Sequence, residues 1–144
     1  MPSVIGAPNS IMRKLTSLPE PQEGMTRYDV STSTPWGAAQ SAKNYGTGIV
    51  QYSTASHGGF HVSRRLLLQM AEDMRGDAYA PLGWFEEDCA WSLVALAFPE
   101  RFPLQARWDA LDTARRYYPR QYERLCQSAA YCGEPEDERE RRTR

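Results

Sequence analysis

An α+β fold is what this 144-residue chain predicts, and three observations carry the expectation. Segments rich in β-branched and aromatic residues fill much of the stretch from residue 33 to 63. Glycine-rich turns separate them, at Asn44-Tyr45-Gly46-Thr47-Gly48 and at Ser56-His57-Gly58-Gly59. From residue 64 onward, apolar side chains recur at helical spacing instead. The expected architecture is a small antiparallel meander of about three strands followed by about four helices packed on one face.

In order along the chain, residues 34–40 begin the first strand, with Pro35 tolerated at its start or on an edge. Residues 49–54 form the second strand, and Phe60-His61-Val62 the third. Ser63 then caps a helix over 64–74, with Leu66, Leu67, Met70 and Met74 on one face and Gly76 as its stop. A further helix is expected over 86–98, ended by Pro99, with three acids in its first turn where the helix dipole favours them. From Cys89 to Phe98 only Ser92 is polar, so this helix is expected to be buried on most sides, with Trp91 as a core anchor. Leu104, Trp108, Leu111 and Arg115 mark an amphipathic helix, and Pro119 opens a short last one carrying Tyr122, Leu125 and Cys126.

The ends read differently. Residues 1–31 mix Pro, Gly, Ser and Asn without a sustained apolar period, so a flexible arm with one helical turn at residues 10–15 is expected. Residues 134–144 carry no apolar side chain and cannot offset their ordering entropy by burial, which predicts a disordered charged tail. The single domain is then residues 32–133.

Seventeen basic residues against eighteen acidic ones leave a net charge of −1, so no global field draws the chain to phosphate. No apolar run reaches the roughly 18 residues needed to cross a bilayer, and residues 1–18 lack the apolar stretch of a signal peptide. Three cysteines, Cys89, Cys126 and Cys132, form no CxxC pair, and a reducing cytoplasm is the expected setting.

Two constellations carry the chemistry. In His57-Gly58-Gly59-Phe60-His61, two imidazoles four residues apart would need a carboxylate from Glu86, Glu87 or Asp88 to complete a two-His-one-carboxylate metal set. Read as structure, the glycines make a hairpin turn, His57 bonds backbone in that turn and His61 is a half-exposed strand residue. In Trp84-Phe85-Glu86-Glu87-Asp88-Cys89, the carboxylates either serve a site or cap a helix start that the aromatics staple. Cys89 with His57 or His61 is the available Cys–His nucleophile pair. No phosphate loop, GxSxG elbow or HExxH motif is present. No cofactor and no metal site is expected.

The series Thr34-Pro35-Trp36-Gly37, Gly48-Ile49-Val50, Ser53-Thr54, Ser56-His57-Gly58-Gly59-Phe60-His61-Val62-Ser63 and Gly83-Trp84-Phe85-Glu86-Glu87-Asp88-Cys89-Ala90-Trp91 resembles an uncharacterised domain family of bacterial, plasmid and phage proteins. The resemblance spans most of residues 33–126, with Val62 where Leu is usual and Phe85 where Tyr is usual. It implies a mobile-element setting. Ser56-His57-Gly58-Gly59-Phe60 followed by an apolar helix is also similar in layout to plasmid antirestriction proteins of the ArdB kind.

The expectation for function is a non-catalytic accessory protein of a mobile element. It would bind a host protein or nucleoprotein complex and inhibit a defence nuclease of the CRISPR or restriction type. His57, Gly58, Gly59, Phe60, His61, Trp84, Phe85, Glu86, Glu87 and Asp88 are its expected binding patch. A small metal-dependent or Cys/His enzyme is the alternative. A nucleic-acid-binding regulator, with the helix around Arg107–Arg116 reading the nucleic acid, is the third.

Overall fold

The computed structural model describes residues 9–21, 26–27, 32–75 and 82–132. The chain is α+β. Strands β1 (Thr26–Arg27), β4 (Ser41–Asn44), β5 (Ile49–Ser53), β6 (Gly58–Val62) and β7 (Trp84–Glu86) form one antiparallel sheet in the order β1-β4-β5-β6-β7. Strands β2 (Ser33–Thr34) and β3 (Gly37–Ala38) form a separate hairpin. The helices are α1 (Asn9–Ser17), α2 (Arg64–Leu67), α3 (Trp91–Ala97), α4 (Leu104–Tyr117) and α5 (Pro119–Cys132), with 3-10 turns at Glu72–Met74 and Pro99–Arg101.

The meander is present, and longer than the sequence predicts. The strand expected over 34–40 is instead the small hairpin, and the sheet strand begins at Ser41, because Thr34 turns the chain back. Its hydroxyl donates to the Gly37 carbonyl at 2.7 Å and accepts the Trp36 N–H at 3.1 Å. Gly58 and Gly59, expected in a turn, lie inside β6 opposite Ser53 and Tyr52. The turn closes earlier, where the Thr54 hydroxyl donates to the His57 carbonyl at 2.6 Å and accepts its N–H at 3.1 Å.

Trp84, Phe85 and Glu86, expected at a helix start, are an edge strand paired with β6. The helix expected over 86–98 therefore begins only at Trp91. Ser63 caps α2 as expected, its hydroxyl accepting the Leu66 N–H. The helix over 64–74 stops after one turn and resumes as the 3-10 turn, yet Leu67, Met70 and Met74 are all buried. The Gly76 stop and the tail over 134–144 lie outside the described residues.

The pleat sorts the sheet into two faces. Ile49, Phe60, Val62 and Phe85 point to the helices and are buried. Val50, Tyr52, His61 and Trp84 point the other way and are half-buried. Helix α3 fills the centre of the core, buried from Ser92 to Leu96, and packs on α4, β6 and β7. Ser92 is accommodated there because its hydroxyl donates to the Cys89 carbonyl at 2.7 Å. Trp91, expected as a core anchor, is only half-buried, since it sits at the edge where α3 meets the sheet and open space remains beside it.

The reading of residues 1–31 as an arm fails over α1, which packs on α4 and α5 and buries Ile11 and Leu15 to 4% and 3% exposure. The cause is a polar residue that periodicity places on a helix surface. Arg107 is 0% exposed. Its Nε donates to the carbonyls of Pro99 (2.7 Å) and Phe102 (2.8 Å), its Nη1 to those of Leu15 (2.8 Å) and Leu18 (3.0 Å), and its Nη2 to that of Pro19 (2.7 Å). The guanidinium thereby satisfies carbonyls at the end of α1 that the helix leaves unpaired. In return, the Glu20 carboxylate accepts the Leu104 N–H at 3.0 Å and caps α4, whose own cap position is Pro103.

Removing either partner strands buried polar groups, each costing about 1–3 kcal/mol. Arg107→Ala and deletion of residues 1–21 are each expected to lower the unfolding free energy by more than about 3 kcal/mol. The two losses are expected to be strongly non-additive, because both remove the bonds of Arg107 to residues 15, 18 and 19. Arg107→Lys rescues only partly, since an ammonium lacks the planar five-donor fork. Denaturant melts of the two variants and their combination check this.

Candidate functional site

The ten residues of the expected patch lie on β6, β7, the turn before β6 and the turn after β7, but they face three different ways. Phe60 and Phe85 sit opposite each other and point into the core. His61 and Trp84, also opposite each other, point outward with ring centroids 4.6 Å apart. Glu87 and Asp88 are exposed in the turn leading to α3, and His57 is exposed in the turn before β6.

Glu86 is committed to the backbone. One carboxylate oxygen accepts the N–H groups of Cys89 and Ala90, both at 2.7 Å, and the other accepts that of Asp88 at 2.5 Å. It holds the turn that launches α3, whose cap position, Ala90, has no side chain for the task. The capping reading of this acid therefore holds, from the end of β7 rather than from within the helix's first turn.

The glycine pair has a different reason at each position. A Cβ on Gly59 would lie 2.3 Å from the Trp36 ring and 2.4 Å from the Phe85 carbonyl oxygen. A Cβ on Gly58 would lie 2.7 Å from the Glu87 carboxylate and 2.8 Å from the Tyr52 carbonyl oxygen. Gly59 thus makes room for the indole of the Thr34-Pro35-Trp36-Gly37 hairpin on the outer face. Gly58 makes room for Glu87 on the helix side, where the Glu87 N–H also donates to the Gly58 carbonyl at 3.1 Å. Three sequence motifs interlock at two missing side chains.

On the outer face this produces an aromatic cluster. Trp84 meets Trp36 edge-on at 5.7 Å, Tyr52 at 5.8 Å and His61 at 4.6 Å. All four residues are half-buried. Burial pulls the His61 imidazole below its ordinary value, so it is neutral at pH 7. On the opposite side of the sheet lies a cleft of about 440 Å³. Tyr45, Phe60 and Phe102 cluster there with ring centroids 4.8 to 5.6 Å apart, and Glu87 and Asp88 stand at the rim.

Trp36, Tyr52, Tyr45 and Trp91 were not in the expected patch. Tyr52 was legible from the period of two along β5. Trp36 was not, because a separate hairpin brings it over the sheet.

The chemistry proposed for the alternatives meets this geometry directly. Among the described residues, no group of three or more His, Cys, Asp and Glu side chains is placed to hold a metal ion. Glu86 has both oxygens occupied by backbone N–H groups. The candidate reading helix is α4, and its Arg107 is wholly internal while Arg115 pairs with Asp112 at 3.2 Å. No helix among the described residues is long and apolar enough to cross a membrane.

The roles of the three carboxylates separate by mutation. Glu86→Ala leaves three N–H groups without their acceptor and is expected to cost about 1–2 kcal/mol. Glu87→Ala and Asp88→Ala, both exposed, are expected to stay within about 0.5 kcal/mol of the parent. Gly59→Ala is expected to cost about 1–3 kcal/mol through overpacking. Trp36→Ala restores only part of that loss, because the Phe85 carbonyl still blocks the new Cβ. Thermal melts read all of these.

No curated protein and no solved structure is significantly similar to this chain. Residues 29–144 match a domain of unknown function, DUF7007, and their span takes in both motif strands, the interlocked hairpin and helices α2 to α5. The chain therefore belongs to the DUF7007 family.

Proposed function

We propose that this chain is a non-catalytic protein-binding module, and that its principal contact is the outer sheet face built from Trp36, Tyr52, His61 and Trp84. The supporting observation is the convergence of two tryptophans, a tyrosine and a histidine on the face of the sheet away from the core, where none of them is needed to fill it. Tryptophan and tyrosine supply large, rigid contact areas with a polar handle and dominate binding hot spots. The resemblance of its motifs to mobile-element proteins favours one kind of partner in this reading: a host defence complex, of the CRISPR or restriction type, which the chain would inhibit in the host cytoplasm.

This narrows the expected patch to His61 and Trp84 and adds Trp36 and Tyr52. Glu86 has no role in partner contact, since reversing its charge would unfold the turn that it caps. The contact residues are on the strand faces instead.

The test is phage or plasmid survival in a host carrying an active restriction or CRISPR system, with and without the chain. Survival is expected to rise with the native chain. It is expected to fall back by ten-fold or more with Tyr52→Glu or Trp84→Ser, both checked for native circular dichroism. A ten-fold change corresponds to about 1.4 kcal/mol, which a single hot-spot residue supplies. Unchanged survival with folded Tyr52→Glu and Trp84→Ser proteins would remove the outer face from the reading. No protection against any such system by the native chain would remove the defence partner.

A further inference from the structure

We infer that the cleft on the helix side of the sheet is a receptor for one arginine side chain of a protein partner. It is separate from the outer aromatic face, on the other side of the same strands. Its floor is aromatic, with Phe60 and Phe102 buried and Tyr45 half-buried, and Trp91 contributes to the lining at its edge. At about 440 Å³, the space is ample for one side chain.

The charge of the rim decides what enters. Glu87 and Asp88 both line the cleft and are both exposed, and neither is ion-paired among the described residues. Their placement is fixed by the fold. The Glu87 backbone is tied to Gly58, its carboxylate packs where Gly58 has no Cβ, and the Asp88 N–H is held by Glu86. Two carboxylates carried on an anchored turn beside aromatic rings match a planar cation that stacks on rings and offers paired N–H donors, which describes a guanidinium. The Lys43 Nζ stands 5.3 Å from the Tyr45 ring centroid, so that ring already attracts positive charge in the native fold. Deeper in the cleft, the Tyr45 hydroxyl donates to Gln51 Oε1 at 2.9 Å, which leaves the Gln51 amide nitrogen for a polar group of the guest. Burial raises the Tyr45 phenol above its ordinary value, so it remains a donor at all physiological pH.

The role of Trp91 follows from the same geometry. It opens a helix that is buried from Ser92 to Leu96, and is itself half-buried where α3 borders the cleft. A purely structural tryptophan gains nothing from that exposure, whereas a stacking surface requires it.

The inference rests on the protein-binding reading only for the source of the arginine, and the two fail separately. The probe is acetyl-arginine amide, titrated into the full chain while the indole and Gln51 side-chain amide resonances are followed by nuclear magnetic resonance. Saturable shifts of the Trp91 indole and the Gln51 amide in the millimolar range are expected. The neutral isostere acetyl-citrulline amide is expected to bind about five-fold more weakly or worse, as is acetyl-arginine amide to the Glu87→Gln, Asp88→Asn double variant. Both substitutions lie on exposed side chains, so the double variant is expected to keep the parent melting temperature. Trp84→Ser, which disables the outer face, is expected to leave acetyl-arginine amide binding intact. Equal affinity for the citrulline probe, an unaffected double variant, or no saturable shift of Trp91 would each overturn the assignment.

Discussion

A guanidinium sealed inside the protein, with backbone carbonyls as its partners, constrains most of what surrounds it. Arg107 donates five hydrogen bonds to carbonyl oxygens of residues 15, 18, 19, 99 and 102, and no water reaches it. A buried charge without such partners costs far more than a small domain's whole stability, so these five carbonyls must arrive together. Their arrival fixes the exit of α1, the 3-10 turn over Pro99–Arg101 and the position of Phe102. Arg101 extends the constraint to the sheet, donating to the carbonyls of Tyr45 and Thr47 at 3.0 and 2.9 Å. Two arginines six residues apart thus bind the N-terminal helix, the helical layer and the strand turn into one body. The floor of the cleft, built from Tyr45, Phe60 and Phe102, is rigid because of them.

A second constraint runs through the sheet. The consecutive glycines of β6 are two empty places on opposite faces, and each is filled by a side chain from a distant segment. Trp36 fills one and the Glu87 carboxylate borders the other. Any side chain at Gly59 would displace an indole and strike the neighbouring strand. The motif is therefore a lock between strand, hairpin and turn, and it needs no metal to account for its glycines.

The same lock leaves two surfaces with different chemistry back to back. Outward lies an aromatic face with an imidazole that burial keeps neutral. Inward lies an acid-rimmed aromatic cleft. A partner that wrapped the exposed turn between them would touch both, one by shape and apolar area, the other by charge. Under the proposed binding reading, affinity would come from the aromatic face and orientation from the carboxylates.

The amino-acid sequence by itself determined the α+β class, the strand at Ile49–Ser53, the Phe60–Val62 part of the next strand, the Ser63 cap and the buried helix after Cys89. Each of these rests on local propensity, alternation or capping chemistry that a short window contains. It also marked Trp84 and the three acids as unusual, because such density exceeds what a helix start needs. Only the tertiary structure decided that Trp84, Phe85 and Glu86 form a strand. Three residues carry no period, and their pairing with His61, Phe60 and Gly59 is a long-range event. It alone decided that α1 belongs to the core, because the reason is Arg107, a residue whose type predicts exposure and whose partners lie some ninety positions away. And it alone separated the expected patch into core, outer face and cleft, since the side of a sheet to which a residue points is set by register, and register is fixed by partners that the local sequence does not name.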